Sequence, residues 1–533
     1  MNSSHHLLPE PVQDAYRASG YWEDLTLAAV VRDWAARDPE RAAVAGSHPL
    51  SYGELWDASS RLAGALRAGG LQPGELVLAP MSNSWQGVVL AVAVSIAGGG
   101  MAALSSRVSP TLVLNIGEQV DARAFVLQAD LLERDEWRQA LEVMRKRLRR
   151  RPVLLQGDAG GTLEEAAAEG PPLTEIAADP SRPSVILSTG GTTGRPKSVV
   201  HCDNALIYAC RRYAAATDFT ERDVHVAIGP YGHASGSVFD IYMPLLCGAS
   251  VLPHARWEAR AVAESIARHG GTFAMTVGTH LFDLLALDSG AEPLFASMRL
   301  ITSGAGANTL FEEVERRFDF TVVRVFGLSE CLGHSIARPG DPAELRLLHD
   351  GIPFPGVEHR ILDPESGLPV PLGTAGEYLC RSPSVFMGYF GEPELTAASV
   401  TDDGFFRTGD LMIESASGYI TWAGRMKHVI RRGGLQIDVV EIEHLLAEHP
   451  KIAEVVVVGE PDARLGERAA VVVVAKPDAD KPELAELLEY LAGRGLGRES
   501  LPERLAFADA LPRTEFGKIR RDDVRSWLLE RMS

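Results

Sequence analysis

Residues 188–198 read STGGTTGRPKS and gather the residue types that can hold a phosphate group. Gly190, Gly191 and Gly194 let backbone N–H groups approach phosphate oxygens, while the hydroxyls of Ser188, Thr189, Thr192 and Thr193 add donors and Lys197 adds a cation. A Walker A loop needs Gly directly before its lysine, and Pro196 stands there instead, which disfavours a kinase or ATPase of that fold. Cys202, Cys210, Cys247, Cys331 and Cys380 are odd in number, form no C-x-x-C pair and read as reduced thiols of a cytoplasmic protein.

A phosphate grip needs a strand to aim it, and the apolar run at 184–187 lies directly before the glycines. Similar short apolar runs lie at 224–229, 249–253, 272–277, 300–304 and 321–327, with helix-like stretches between them. At 259–269, for instance, Val262, Ile266 and Ala267 recur at helical spacing. Alternation of strand and helix predicts parallel sheets with crossover helices. From about Gly340 the texture changes to short runs, HRILD, EYLCR and GYITWAG, punctuated by Gly and Pro, as in antiparallel β-structure. The last hundred or so residues predict a small α+β domain with helices in EIEHLLAEHP and ELAELLEYLAG and buried strands in EVVVVGE and AAVVVVAKP. The boundary falls near residues 424–427, after GYITWAG.

At 533 residues the chain is too long for one small domain, and 46% hydrophobic with 23% charged residues is the composition of a globular protein with a packed core. Lys plus Arg is 52 against 71 Asp plus Glu, a formal charge of −19, which argues against nucleic acid or an anionic membrane as partner. The basic run Arg145, Lys146, Arg147, Arg149, Arg150 and Arg151 has no interleaved aromatics and reads as the solvated end of a helix. No signal peptide is visible in the first residues. The apolar stretch 87–104 is broken by Gly98, Gly99 and Gly100 and predicts a buried core helix followed by a tight turn, not a membrane span.

The 188–198 segment resembles the phosphate loop of the acyl-adenylate-forming superfamily, and further family-like segments follow in order: GPYGHASG at 229–236, TSGAGA at 302–307, VFGLSE at 325–330, FFRTGD at 405–410, GRMKHVIRRGGLQIDVVEIE at 424–443 and LPRTEFGKIRR at 511–521. The resemblance implies an α/β fold with a large N-terminal domain, residues 1–424, of two doubly wound α/β subdomains plus a distorted β-barrel. A small mobile α+β domain, 425–533, follows a hinge near Lys427. It implies ATP and Mg2+ as cofactors.

Site roles follow from the same matches. The nucleotide would be held by the 188–194 loop and Lys197, by Gly304 and Ala305 beside the base, by Phe326 as a flat face for adenine, and by Gly327 and Ser329. Glu330 would bind the magnesium carried by ATP, as a hard oxygen ligand should. Asp410 would accept the ribose hydroxyls, Arg425 would reach the ribose and phosphate side, and Lys518 would be the mobile lysine that contacts the carboxylate and α-phosphate. His233 would gate or wall the acid site as a catalytic and substrate-binding residue, with Ala234, Ser235, Gly304 and Gly327 lining it.

Among the branches, the stand-alone aryl-acid AMP ligases of the dihydroxybenzoate type resemble the chain best. Ala234 departs from them, since the dihydroxybenzoate enzymes carry an Asn there, and no Asp stands between His233 and Val238 to anchor an α-amino group. The implied activity is ATP-dependent conversion of an aryl or other non-amino acid to acyl-AMP and pyrophosphate. Transfer to the phosphopantetheine thiol of a separate carrier protein follows, with coenzyme A or a non-thiol acceptor as the alternatives.

Overall fold

The computed structural model describes residues 7–127, 134–147, 153–155, 168, 170–177, 179–189, 197–304, 308–426, 429–432, 435–462, 464–477, 479–494, 496–513 and 519–531. The chain forms two compact units. One comprises Met1–Gly191, Arg195–His359 and Cys380–Phe406, the other Thr192–Gly194, Arg360–Leu379 and Arg407–Ser533.

In the first unit the apolar runs become two largely parallel sheets. The seven-stranded sheet has the order Val153–Leu155, Ala124–Val126, Leu76–Met81, Gly100–Ser105, Pro183–Thr189, with Lys197–Cys202 and Gly388–Tyr389 added antiparallel at the end. In the nine-stranded sheet the parallel strands are Thr321–Leu328, Leu300–Ser303, Phe273–Thr276, Val224–Ala227, Ser250–Pro253 and Ala42–Val44; short antiparallel strands close both sides. Both are doubly wound. Leu76–Met81 borders the reversal of strand order in the first, and Val224–Ala227 borders it in the second. Crevices form at the carboxyl ends of such strands because successive crossovers leave in opposite directions.

Helix Trp85–Ile96 is the core helix expected within 87–104. Ser84 caps it by accepting from the Gly87 N–H, and every residue from Gly87 to Ile96 is buried. It ends in a turn where Gly98 has φ 76°, a conformation open to glycine at little cost. Among the described residues no helix is long and apolar enough to cross a membrane. Helix Ala259–His269 buries Val262, Ala263 and Ile266, so Ala263 takes the inward place expected of Ala267, which is exposed. Helix Asp135–Arg147 takes in the start of the basic run, whereas Arg149, Arg150 and Arg151 lie outside the described residues.

The change of texture after residue 340 corresponds to a four-stranded sheet of Glu358–Leu362, Gly376–Arg381, Phe406–Glu414 and Ile420–Arg425. It stays open among the described residues, with Glu358–Leu362 and Ile420–Arg425 unpaired with each other at its two edges; the expected barrel is not closed. Closure requires the two edge strands to exchange hydrogen bonds, and these do not.

A five-stranded sheet carries the C-terminal core of the second unit, where Ile452–Asp462 and Gly466–Ala475 pair antiparallel. Val455, Val457, Ala469, Val471 and Val473 pack with Ile442, Leu446, Leu487 and Leu491 from two helices. On the opposite face Val456, Val458, Ala470 and Val472 pack with Val524 and Leu528 of helix Arg521–Glu530. Coverage on both faces explains why these strands are unbroken valine runs rather than alternating ones.

Asp203, the first residue of helix Asp203–Ala216, is buried and accepts a hydrogen bond from the Tyr242 hydroxyl at 3.1 Å. Burial pushes its carboxyl up to about 6. The native state therefore holds this proton more tightly than the unfolded chain, so its contribution is fully present below the unfolded value near 4 and is lost as pH rises through about 6. Relative to the wild type, Asp203→Asn should gain about 2–3 kcal/mol of stability across that window, as paired urea titrations between pH 4 and 7 would show. Parallel pH profiles would mean that Asp203 is not held protonated.

Candidate active site

Most site residues expected in the first unit and described in it lie at, or just beyond, a strand end or on the turn that follows, whereas Ser235 begins a π-helical stretch. Ser188 and Thr189 end Pro183–Thr189, and that strand pairs Ser188 with Ser198 and Thr189 with Lys197. Gly190, Gly191, Thr192, Thr193 and Gly194 lie outside the described residues. Ser188 Oγ is buried without a hydrogen-bond partner among the described residues, an orphaned donor at the base of the loop. A buried hydroxyl left this way costs about 1–3 kcal/mol, which a bound acceptor would recover.

Lys197 connects this hairpin to Glu330. Its Nζ lies over the Tyr389 ring, 4.8 Å from the centroid, and the Tyr389 hydroxyl donates to Glu330 Oε1 at 2.8 Å. Burial and the neighbouring carboxylate push the Tyr389 hydroxyl far above its usual range, so it remains a donor. The backbone around Glu330 is also fixed: Phe386 N–H donates to the Glu330 carbonyl at 2.8 Å, and His201 Nε2 contacts the Ser329 carbonyl at 2.7 Å. Sequence reasoning missed Tyr389. Its local signal was a lone Gly-Tyr pair, and only the pairing of Gly388–Tyr389 with Lys197–Cys202 brings it to the phosphate hairpin.

Phe326 and Gly327 occupy the part of Thr321–Leu328 that runs past its parallel neighbour Leu300–Ser303 and folds back against Leu332–Ile336. Phe326 is buried and Gly327 exposed; a Cβ on Gly327 would lie 2.3 Å from the Leu332 carbonyl oxygen, so only glycine fits that backbone. Gly304 is exposed just beyond Leu300–Ser303, and Ala305 lies outside the described residues.

The 229–236 loop is pinned through one residue. Gly229 N–H donates to Asp240 Oδ2 at 2.8 Å, and its carbonyl accepts from Asn83 Nδ2, also at 2.8 Å. Asn83 follows Leu76–Met81 and Gly229 follows Val224–Ala227, so the pin joins the carboxyl ends of the two strands that border the reversals. Asp240 is wholly buried and its Oδ1 accepts from His225 Nε2 at 2.7 Å. Burial holds its carboxyl above the ordinary range despite these donors. Asp240 comes from a π-helical stretch, Ser235–Tyr242, whose wider turn is a departure often associated with functional sites. His233 is exposed, while Ala234 and Ser235 are half-buried. Asn83 and Asp240 were not legible as site residues because their partners lie 146 and 11 residues away.

In the second unit, Asp410 and Arg425 are a cross-strand pair. Asp410 is buried, and its Oδ1 accepts from Arg425 Nε at 2.8 Å and from Trp422 Nε1 at 3.0 Å. Thr408 Oγ1 accepts from the Asp410 N–H at 3.0 Å, and Gly409 at φ 69° makes the bend between them. The carboxyl group is thus fixed in aim by two donors on one oxygen. Lys427 and Lys518 lie outside the described residues.

The family model for AMP-binding enzymes matches residues 31–390, and that for the AMP-binding enzyme C-terminal domain matches 441–518. Salicyl-AMP ligase / salicyl-S-ArCP synthetase of Mycobacterium tuberculosis is 34% identical over 539 residues, covering 96% of this chain and 93% of that protein. A medium-chain fatty-acid–CoA ligase of Escherichia coli is 28% identical over 531 residues, covering 97% and 93%. Among solved structures, ATP-bound MatB from Rhodopseudomonas palustris superposes with a TM-score of 0.82 at 27% identity, covering 94% of this chain and 99% of that one. A hairpin ending in Ser188 and Lys197, a fixed turn at Glu330 and a pinned loop after Gly229, set at the carboxyl ends of doubly wound sheets and matched over most of the chain, lead to one conclusion: the protein belongs to the AMP-binding enzyme family and is an adenylate-forming acid ligase.

Proposed function

We propose that this ligase activates an acid without an α-amino group, aryl acids first, and passes the acyl group to the phosphopantetheine thiol of a separate carrier protein. The observation that carries the choice of acid is the commitment of Asp240. Its two oxygens serve His225 and Gly229 in the buried interior, and no carboxylate stands between His233 and Val238 to meet an ammonium group. The salicyl-S-ArCP synthetase relative supports the carrier thiol. Coenzyme A is the second reading, favoured by the fatty-acid–CoA ligase relative. The compartment in this reading is the cytoplasm, where five free thiols stay reduced.

In the first half-reaction a carboxylate oxygen bonds to the α-phosphorus of ATP as the bond to pyrophosphate breaks. In the second, the thiol sulfur bonds to the acyl carbon, AMP leaves, and the thiol gives up its proton. Lys197 and the 188–194 loop hold phosphate oxygens, Phe326 and Gly304 with Ala305 flank adenine, and Asp410, aimed by Arg425 and Trp422, receives the ribose hydroxyls. His233 with Ala234, Ser235 and Gly327 borders the acid. Glu330 suits Mg2+ because it offers a hard, partly exposed carboxylate whose Oε1 is steadied by Tyr389. When bound, that ion neutralises phosphate charge. Lys518 would do the same beside the reacting oxygens during adenylation.

Division of the chain into 1–424 and a mobile 425–533 with a hinge at Lys427 is part of the proposal. The family models leave residues 391–440 between them, which supports a change-over in that stretch. A swing there would replace Lys518 with the segment around Gly433 and Gly434 for thiol transfer.

Acid-dependent ATP–pyrophosphate exchange over a panel of acids tests the proposal, followed by transfer of the preferred acyl group to a holo-carrier protein or to coenzyme A. Exchange with aryl acids and labelling of the carrier support it; a response to α-amino acids alone would overturn the choice of acid, and transfer solely to coenzyme A the choice of acceptor. Lys518→Ala should lower exchange by about 10^2–10^3-fold while leaving thioester formation from supplied adenylate intact. Equal loss in both assays removes Lys518 from its adenylation role. Tyr389→Phe and Glu330→Gln should both raise the Mg2+ concentration needed for half-maximal exchange, the second by more, because one loosens the carboxylate and the other removes its charge. An unchanged magnesium dependence in Glu330→Gln would end its assignment as ligand.

A further inference from the structure

Cys331, His334 and Cys380 bring two sulfurs and an imidazole nitrogen within 4.8 Å of one another. All three are wholly buried, and the adenylation roles described above use none of them. Two come from the hairpin beyond Glu330. Its turn closes through a hydrogen bond from Cys331 N–H to the Leu328 carbonyl at 3.3 Å, and it leaves through Leu332 at φ 57°. That left-handed conformation costs a leucine about 1–2 kcal/mol. It sends the chain back as Leu332–Ile336, on which His334 stands three residues after Cys331. Cys380 arrives from strand Gly376–Arg381.

The backbones of the hairpin pair are held from outside the cluster. Ser384 Oγ donates to the Cys331 carbonyl at 2.9 Å, and Phe354 N–H donates to the His334 carbonyl at 3.0 Å. These contacts fix where the side chains start, as preorganised ligand sets require. In tetrahedral zinc sites, bonds of about 2.3 Å to sulfur and about 2.0–2.1 Å to nitrogen put ligand atoms roughly 3.5–3.8 Å apart. The observed cluster needs only a small contraction to reach that spacing.

We propose that Cys331, His334 and Cys380 form a Cys2His site for Zn2+, with a small molecule such as water completing the coordination. Each thiol releases its proton on binding, so two thiolates cancel the charge of the divalent ion. That neutrality is what allows a cation in so buried a place. Soft sulfur ligands and one imidazole select zinc over the magnesium proposed for Glu330, whose ligand is oxygen. A filled site would cross-link the hairpin to Cys380 and stiffen the turn carrying Glu330. It would also fix His334, whose ring meets Phe326 edge-on with centroids 6.2 Å apart.

Cobalt(II) is the probe, because thiolate ligation gives it an intense near-ultraviolet charge-transfer band that oxygen ligands do not. The full chain, reduced and stripped of metal, should develop a two-thiolate band that saturates at one equivalent of cobalt and is bleached by zinc. Cys331→Ser and Cys380→Ser should lose the band while keeping wild-type far-ultraviolet circular dichroism. Because the wild-type titration needs no variant, misfolding of a variant does not blunt the test. Failure of the reduced wild-type chain to develop the band, or its persistence in a folded serine variant, overturns the proposal. So does a band that oxygen-ligand variant Glu330→Gln abolishes.

Discussion

Gly229 is held from both sides. Its N–H is committed to Asp240 and its carbonyl to Asn83, each at 2.8 Å. One of these partners comes from the π-helical stretch Ser235–Tyr242, and the other follows a strand of the neighbouring sheet. The residue has no room for a side chain, since a Cβ would approach Ser235 Oγ to 2.7 Å. A single glycine thereby fixes the start of the 229–236 loop relative to the strand ends of both sheets, and the position of His233 follows from it. Removing either partner would leave a buried polar group unpaired, at a cost well above the net worth of an ordinary hydrogen bond.

The same logic of buried, committed polar groups recurs around the acidic turn. Tyr389 lies between Lys197 and Glu330 and converts a cation and an anion from distant parts of the chain into one connected set. Backbone carbonyls at Ser329 and Glu330 are taken by His201 and Phe386, so the turn has little freedom to drift. Electrostatic catalysis depends on such preorganisation, because groups already in place need no rearrangement as charge develops. The glycines and the left-handed Leu332 are the local backbone cost of placing Phe326 and Glu330 on one tight hairpin.

The second unit solves a different problem. Its central strands are covered on both faces by helices, so its stability rests on apolar burial rather than on a polar network. Asp410 is the exception, with Arg425 and Trp422 fixing its carboxylate across a strand pair.

Much was legible in the sequence because it was local. The apolar runs of the parallel strands, the buried helix before Gly98 and the valine runs near the C-terminus all depend on neighbours a few residues away, where periodicity and turn chemistry are readable. Ala263 replacing Ala267 inside helix Ala259–His269 marks the resolution of that approach: the helical period is clear, but which of several small residues faces the core is settled by the neighbours. The open four-stranded sheet differs from the expected barrel because closure depends on edge-strand pairing, which no strand encodes alone. Tyr389 with Glu330, Asn83 and Asp240 with Gly229, and the meeting of Cys331, His334 and Cys380 became visible only in three dimensions. Sequence determined the chemistry available and the elements that carry it; tertiary structure decided which groups meet, because long-range contacts follow from how sheets and connections pack, and no local pattern records them.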